Sequence, residues 1–203
     1  MNQTVHIDPR PAADRSSAWV AAAADLAIAA AAVSNFCDHL EHCEANERAD
    51  VAQAARTLRN LALVLAEVEG VNLIELYGAR LNAIERRHPM NPVDGFIGGE
   101  RVRDAGTWDD LQEIQWNHDR LYHPDVVGLA KFEQARHCAL HLAKLAGAAA
   151  TATRDPDQRP DFIDRRLPDT LLFGLKLATL FGERLPAVPL ALDQAPISAD
   201  RTA

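Results

Sequence analysis

The sequence predicts an all-α protein, a helical bundle, on the basis of three observations. Apolar residues recur at the three- and four-residue spacings of one helix face, as Leu58, Leu61 and Leu65 do. Alanine is abundant and only 5% of the residues are aromatic, a balance that favours close-packed helices over sheets. No segment has the alternating pattern of a strand. With 203 residues the chain is long enough to bury a core.

Prolines, glycines and polar runs divide the chain into five expected parts. Residues 1–15 are expected to be a flexible N-terminal arm, 16–88 a first helical half, 89–106 a loop or linker, 107–186 a second helical half, and 187–203 a flexible tail.

Local signals predict where the helices begin and end. Gly70 and Gly182 are expected stop signals, Thr107 and Asp110 an expected capping box, and Pro168 fits a first helical turn. The expected helices cover about 17–43, 47–68, 71–88, 107–122, 129–153 and 168–181, with a loop at 155–161. The residues before Gly70 and before Gly182 match weakly, which predicts that the two halves pack as a pseudo-repeat.

Composition narrows the classes of partner and compartment. A net charge of −8 without a basic run opposes nucleic-acid binding. Three cysteines without CxxC spacing do not indicate a disulfide framework. The Ala-rich segment 18–36 contains Asp25 and is too weakly apolar to predict a membrane span, and the N-terminus lacks a signal-peptide pattern. We therefore expect a cytoplasmic protein without a membrane partner.

One stripe of titratable side chains lies on the helix that contains "RHCALHLAKLAG", residues 136–147. Glu133, His137, His141 and Lys144 recur at the spacing of one helix side. Such a stripe is either a ligand site or a surface that forms ion pairs with a neighbouring helix. The residues alone leave both interpretations open.

Two stretches resemble the MazG-like all-α nucleoside triphosphate pyrophosphatases. The segment "GVNLIELYGARLNAIERRHP" (70–89) resembles the last helix of that family, and "WNHDRLYHPDVVGL" (116–129) resembles its first helix and the turn that follows. The resemblance extends over most of residues 20–186. It implies a homodimer or a higher homo-oligomer, and we expect the Ala-rich helix at 19–36 to form that contact.

The resemblance also implies a site, with altered chemistry. The family carries Glu-x-x-Glu and Glu-x-x-Asp pairs that hold Mg²⁺, and the matching positions here are His141 and Lys144, then Arg166 and Asp169. In the first half they are Ala32, Asn35, Ala54 and Thr57. Because only Asp169 keeps the acid, hydrolysis by the family's mechanism is doubtful. If the protein is an enzyme, the resemblance implies a pyrophosphohydrolase-like hydrolase that uses Mg²⁺.

The leading hypothesis is a pseudo-enzyme that binds a nucleotide or another phosphorylated ligand. Under it, Lys144, His141 and Arg166 contact the phosphates, because lysine and arginine bind phosphate where no metal does. Asp169 orients a phosphate or holds a residual metal. The remaining part of the ligand would face the predicted ligand-binding residues of one more helix, Trp116, Asn117 and Asp119.

Two rival hypotheses remain open. The first is a non-catalytic helical interaction or regulatory protein. The second is a His-based metalloenzyme, since His137 and His141 stand at i and i+4, and His118 and His123 are near in sequence. No HExxH motif accompanies them.

Overall fold

The computed structural model describes residues 12–38, 45–87 and 98–185, and most of them are helical. No strand occurs in these ranges, which confirms the predicted all-α class. The helices are α1 (Ala12–Asp38), α2 (Ala45–Glu69), α3 (Leu73–Arg87), α4 (Gly98–Arg101), α5 (Trp108–Tyr122), α6 (Pro124–Val127), α7 (Lys131–Arg154), α8 (Arg159–Asp161) and α9 (Leu167–Phe181). Short 3₁₀ turns cover Val102–Asp104 and Pro156–Gln158, and a π-helical turn covers Phe162–Arg166.

Four long helices form a closed ring around one core. α1 packs against α2 and α7, and α9 completes the ring by packing against both α2 and α7. α1 and α7 are antiparallel, because Phe36 stacks on Phe132 at one end and the Thr153 hydroxyl donates to the Trp19 carbonyl at the other. Helices from both expected halves therefore share a single core, while the pseudo-repeat itself stays a prediction.

α9 is the central helix. Eleven of its fifteen residues are buried, because its sequence "LPDTLLFGLKLATLF" is apolar on all sides of the helix. α3 and α5 also pack against it, in addition to the two ring neighbours. The two charged residues within this apolar sequence, Asp169 and Lys176, consequently lie between helices.

The expected signals at the helix ends are confirmed. Thr107 and Asp110 form the capping box at the start of α5, with Thr107 Oγ1 accepting from the Asp110 backbone N–H at 3.2 Å. Gly70 and Gly182 take the left-handed conformation after α2 and α9, with φ of 65° and 73°. Pro168 lies in the first turn of α9.

Three expected boundaries need correction or lie outside the described residues. α1 begins at Ala12, inside the expected arm of 1–15, since the Ala-rich sequence sustains the helix towards its start. The predicted end of that helix near residue 43 lies outside the described residues, as do residues 1–11 and the expected tail at 187–203.

The expected loop at 89–106 contains a packed helical segment from 98 onwards. Gly98 and Gly99 at the start of α4 are buried. A Cβ atom on Gly99 would meet the Asn82 side chain and the Gly78 carbonyl oxygen, so the absent side chain lets α4 lie directly on α3. These glycines indicate close packing, where the sequence pattern indicated a linker.

The expected loop at 155–161 is also helical, as a series of short turns. The Asp155 carboxylate accepts from the Asp157 backbone N–H, which starts the 3₁₀ turn. A π-helical turn then precedes α9, and the Leu167 N–H bonds to the Phe162 carbonyl. Pro168 explains this turn, because proline has no N–H to continue an α-helical ladder.

Among the described residues, one helical stretch, Arg15–Asp38 in α1, is long and apolar enough to cross a membrane by length and composition, so the expectation that this segment is too weakly apolar was wrong. Core helices of water-soluble bundles meet the same two criteria. α1 buries Trp19, Leu26 and Phe36 against its neighbours in the ring.

Candidate ligand-binding groove

One face of α9 carries both charged residues of the helix. Arg166, Asp169, Phe173 and Lys176 are spaced by three, four and three residues, which places them along one side of the helix. Residues of α3 and α5 contact these side chains from one direction and residues of α7 from another. We call this surface the α9 groove.

Asp169 is held by an arginine of α3. Arg80 Nε donates to Asp169 Oδ1 at 2.6 Å, and Arg80 Nη2 donates to Oδ2 at 3.0 Å. This bidentate geometry is the strongest arrangement for an arginine and a carboxylate. Asp169 is buried, so the pair both neutralises its charge and links α3 to α9.

Asp119 and Lys176 form a second ion pair, between α5 and α9. Lys176 Nζ lies 2.9 Å from Asp119 Oδ1, and both side chains are almost wholly covered. Gln115 Nε2 donates to the same Oδ1 at 2.9 Å, and the Tyr77 hydroxyl donates to Gln115 Oε1 at 2.6 Å. The resulting chain from Tyr77 to Lys176 satisfies each buried polar group in turn.

Two histidines of α7 pack over the middle of the groove. The imidazole of His141 stacks on Phe173 with ring centroids 4.7 Å apart, and His137 lies 4.7 Å from His141. Desolvation, together with nearby groups that include His137 and Lys144, lowers the pKa of His141 to about 4. Desolvation also lowers the pKa of His137. Both rings are therefore neutral at pH 7.

Two cations at the Arg166 end of the groove lack a hydrogen-bonded or ion-paired partner for their side chains among the described residues. Lys144 is exposed on α7, one turn beyond His141, and Arg166 is partly exposed before α9. The nearest acid along the α9 face is Asp169, which Arg80 already binds. The groove therefore carries a local positive excess in a chain whose net charge is −8.

A small cavity lies at the other end of the groove, between α5, α6, α7 and α9. Trp116, Asp119, His123, His137 and Lys176 are among its lining residues. The enclosed space within which the centre of a water molecule can move measures about 40 Å³. The whole depression, including its open mouth, measures about 470 Å³. Trp116 is 38% exposed, so a large ring surface borders this mouth.

Cys138 also lines this cavity. Burial raises the pKa of its thiol to about 12, so the thiolate is scarce at neutral pH and nucleophilic chemistry is not favoured. Cys37 and Cys138 are both free thiols, whereas Cys43 lies outside the described residues.

His118 is the most deeply buried of the four predicted metal-binding histidines. His118 is fully buried, with Nε2 3.6 Å from Glu85 Oε1, and neither ring nitrogen has a hydrogen-bond partner within the described ranges. His137 and His141 lie on α7, and the His123 ring is 6.4 Å from that of His118. In the part of the chain that the structure describes, no three His, Cys, Asp or Glu side chains are placed to hold a metal ion.

The predicted ligand-binding residues lie in three places. Trp116 and Asp119 line the cavity, together with His123 and His137 from the predicted metal set. His141, Lys144, Arg166 and Asp169 lie farther along the α9 groove. Asn117 is partly buried on α5 and is not among the cavity-lining residues.

Sequence reasoning missed Arg80, Gln115 and Lys176, which position the two aspartates. A signal for Lys176 was present, because a lone lysine within the apolar run "LLFGLKLATLF" must find a partner when that helix is buried. Arg80 gave a weaker signal of the same kind within "LYGARLNAI". Which acid each would meet depends on helix packing and is not encoded in local spacing.

Comparison with known proteins assigns neither a family nor a function to this chain. No protein-family model, no curated protein and no solved structure matches the chain.

Proposed function

We propose that this protein binds a phosphorylated ligand, with nucleotides as the leading class, in the α9 groove. The observation that carries the proposal is a pair of cations, Lys144 and Arg166, that have no side-chain partner in the described part of the chain. They lie at one end of a groove whose two aspartates are already neutralised. An anionic ligand gains two charge-assisted contacts there without displacing an existing ion pair.

The opposite end of the groove suits the remainder of a nucleotide. The exposed ring of Trp116 offers a stacking surface at the cavity mouth, where an aromatic base gains contact area. Ten residues separate Arg166 from Lys176, which corresponds to about 15 Å along a helix. An extended nucleotide has dimensions of the same order.

The proposal is for binding, because the groove's carboxylates are engaged. Asp169 is bound by Arg80 and Asp119 by Lys176, so a Mg²⁺ ion would have to break two buried ion pairs to use them as ligands. Hydrolysis of a triphosphate by a metal-activated water is therefore not part of the proposed function. The protein would act as a nucleotide-binding pseudo-enzyme.

Trp116 provides a direct test by fluorescence. Trp19 and Trp108 are buried, so a nucleotide that stacks at the cavity mouth should quench mainly Trp116. We expect saturable quenching by ribo- and deoxynucleoside triphosphates, and we expect Trp116→Phe to lose it. Pyrophosphate release is measured in parallel with Mg²⁺ and Mn²⁺. Absence of saturable binding by the whole panel would refute the proposal.

Turnover would refute the non-hydrolytic part separately. If pyrophosphate is released and Asp169→Ala abolishes the release, then acids do form a metal site, and the Arg80–Asp169 pair must open during the reaction. We expect no release above the protein-free background with either metal.

A helical interaction protein is a second candidate, and a specific observation favours it. Val20 and Ile28 on α1 are 57% and 65% exposed, on a helix whose other side is buried in the ring. Large apolar side chains on one face are typical of a contact with another protein chain. The expected homo-oligomer through this helix stays a prediction, which sedimentation of wild type and Ile28→Glu would test.

A further inference from the structure

We propose that Lys176 forms a second anion-binding position in the cavity beside Trp116. The ligand would accordingly carry a second anionic group, separate from the phosphates at Lys144 and Arg166. This inference rests on the proposed function and narrows the ligand class to molecules with anionic groups at two positions.

The hydrogen-bonded chain behind Lys176 holds its ammonium group in place. Tyr77, Gln115 and Asp119 are all buried. Tyr77 donates to Gln115 at 2.6 Å, Gln115 donates to Asp119 at 2.9 Å, and Lys176 Nζ lies 2.9 Å from the same Asp119 oxygen. Through Tyr77, this support extends to α3. The arrangement fixes where the ammonium lies on the cavity wall.

Lys176 retains the capacity to bind an anion. An ammonium group has three donors, and within the described residues only Asp119 accepts one of them. Lys176 Nζ also lies 5.4 Å from the Phe173 ring centroid, which leaves its hydrogen-bond donors unused. The neutral His137 lines the same cavity and can donate to an anionic oxygen, whereas Gln134 gives its two N–H donors to the Val127 and Leu129 carbonyls.

The size of the cavity determines what can enter it. Ligand sites for whole small molecules usually measure about 300–1,000 Å³, whereas the enclosed part here measures about 40 Å³. A single group of a few atoms fits this space, and the rest of the ligand must extend through the mouth into the α9 groove. A phosphate or carboxylate group has the required size and charge.

His141 stacks on Phe173 and Lys131 lies over the Phe181 ring, so α7 and α9 are antiparallel. The two anion-binding positions, each three residues beyond a member of the His141–Phe173 stack, therefore lie on either side of it. Lys144 and Lys176 both lower the pKa of His141, so both ammonium groups lie within electrostatic reach of that ring. Lys144 is one turn beyond His141 on α7, whereas Lys176 reaches it from α9. One ligand spanning the ring can therefore contact both.

Two nucleotides with the same number of phosphates separate this inference from the proposed function. Adenosine 5′-diphosphate carries both phosphates at one end, whereas adenosine 3′,5′-bisphosphate carries them at two positions. By calorimetry at constant ionic strength, we expect the wild type to bind the bisphosphate about tenfold more tightly, since one more charge-assisted contact forms. We expect Lys176→Met to remove this preference and leave the affinity for the diphosphate nearly unchanged.

A second variant keeps the test decisive if Lys176→Met unfolds. Asp119→Asn/Lys176→Met removes both charges, so that neither is left buried alone, and it should also bind both nucleotides with equal affinity. A wild type that binds both nucleotides equally, or a Lys176 variant that keeps the preference, would overturn the inference alone. A wild type that binds neither nucleotide would overturn the proposed function as well.

Discussion

The two aspartates of the α9 groove show how a buried acid depends on its partner. Asp169 takes both of its hydrogen bonds from Arg80, and Asp119 receives one from Gln115 and one from Lys176. A buried carboxylate without such partners costs several kcal/mol, at roughly the scale known for unpaired charges. At the scale of single residues, both pairs therefore stabilise the fold. Lys144 and Arg166, whose side chains have no partner within the described ranges, and the remaining donors of Lys176 are left for a ligand.

Removing one member of the Arg80–Asp169 pair should be costly. Asp169→Ala leaves Arg80 without its bidentate acceptor, and we expect the free energy of unfolding to fall by about 2–3 kcal/mol, because Arg80 keeps some contact with water. Urea denaturation measures the loss. Arg80→Met/Asp169→Leu serves as the control and should recover most of the stability, since no charge is left unpaired. A double variant as unstable as the single one would contradict this account.

The protein should become less stable as the pH falls, because His118 is protonated more readily in the unfolded chain than in the folded protein. Desolvation lowers its pKa from 6.5 to about 3, so between these values the folded protein holds a neutral ring while the unfolded chain binds a proton. Stability present above pH 6.5 is thus lost as the pH falls towards 3, by up to about 1.4 kcal/mol per pH unit for one proton.

Comparison with His118→Gln isolates this contribution from other titrating groups. Glu85, whose pKa desolvation raises, acts in the opposite direction because its folded form retains a proton more readily. The stability of wild type relative to His118→Gln should therefore decrease from pH 7 to pH 4 in denaturant melts. A difference that stays constant over this range would show that His118 is protonated in the folded state.

At the scale of helices, the sequence predicted the ends that depend on local chemistry. The Thr107–Asp110 box and the glycines after α2 and α9 act within a few residues of the helix ends they mark, so their signals can be read locally. The segments at 98–104 and 155–166 could not be recognised in this way. Buried Gly98 and Gly99 owe their helical path to contacts with α3 and α5, and Pro168 acts through a π-helical turn before it.

Two helical glycines should respond to alanine substitution to different extents. A Cβ on Gly174 of α9 would lie 3.2 Å from the Ala55 carbonyl oxygen of α2, whereas a Cβ on Gly147 of α7 would meet nothing within 4 Å. Alanine stabilises a helix by about 1 kcal/mol relative to glycine. We therefore expect Gly147→Ala to stabilise by about this amount, and Gly174→Ala to gain less because α2 must shift.

Larger side chains make the contrast between these glycines sharper. Gly174→Leu should destabilise by about 3 kcal/mol or more, since it separates α2 from α9, while Gly147→Leu should be close to neutral or stabilising. Thermal melts of the four variants measure these changes. Equal effects of leucine at the two positions would contradict the close packing of α2 on α9.

At the scale of the whole molecule, the candidate site combines residues that are distant in sequence. The stripe on α7 could be predicted because helical spacing places it, whereas Asp169 was assigned to the site only through the family resemblance. Arg80, Gln115 and Lys176 join the site only because α3 and α5 pack on α9, a long-range arrangement that local patterns do not encode. In the same packing, Lys144 and Arg166 have no side-chain partner among the described residues, although the protein has a net charge of −8. These two cations are the basis of the proposed function.

The measurement that tests this claim most directly is the affinity for adenosine triphosphate, by calorimetry, of wild type and two double variants. Lys144→Ala/Arg166→Ala removes the unpartnered cations of the groove. Arg154→Ala/Arg165→Ala removes the same charge from exposed positions on α7 and just before α9, outside the groove residues, and so controls for net charge. We predict that the first variant binds at least about tenfold more weakly and the control changes by less than about threefold. Equal weakening in both variants, or no measurable binding by wild type, would contradict the account.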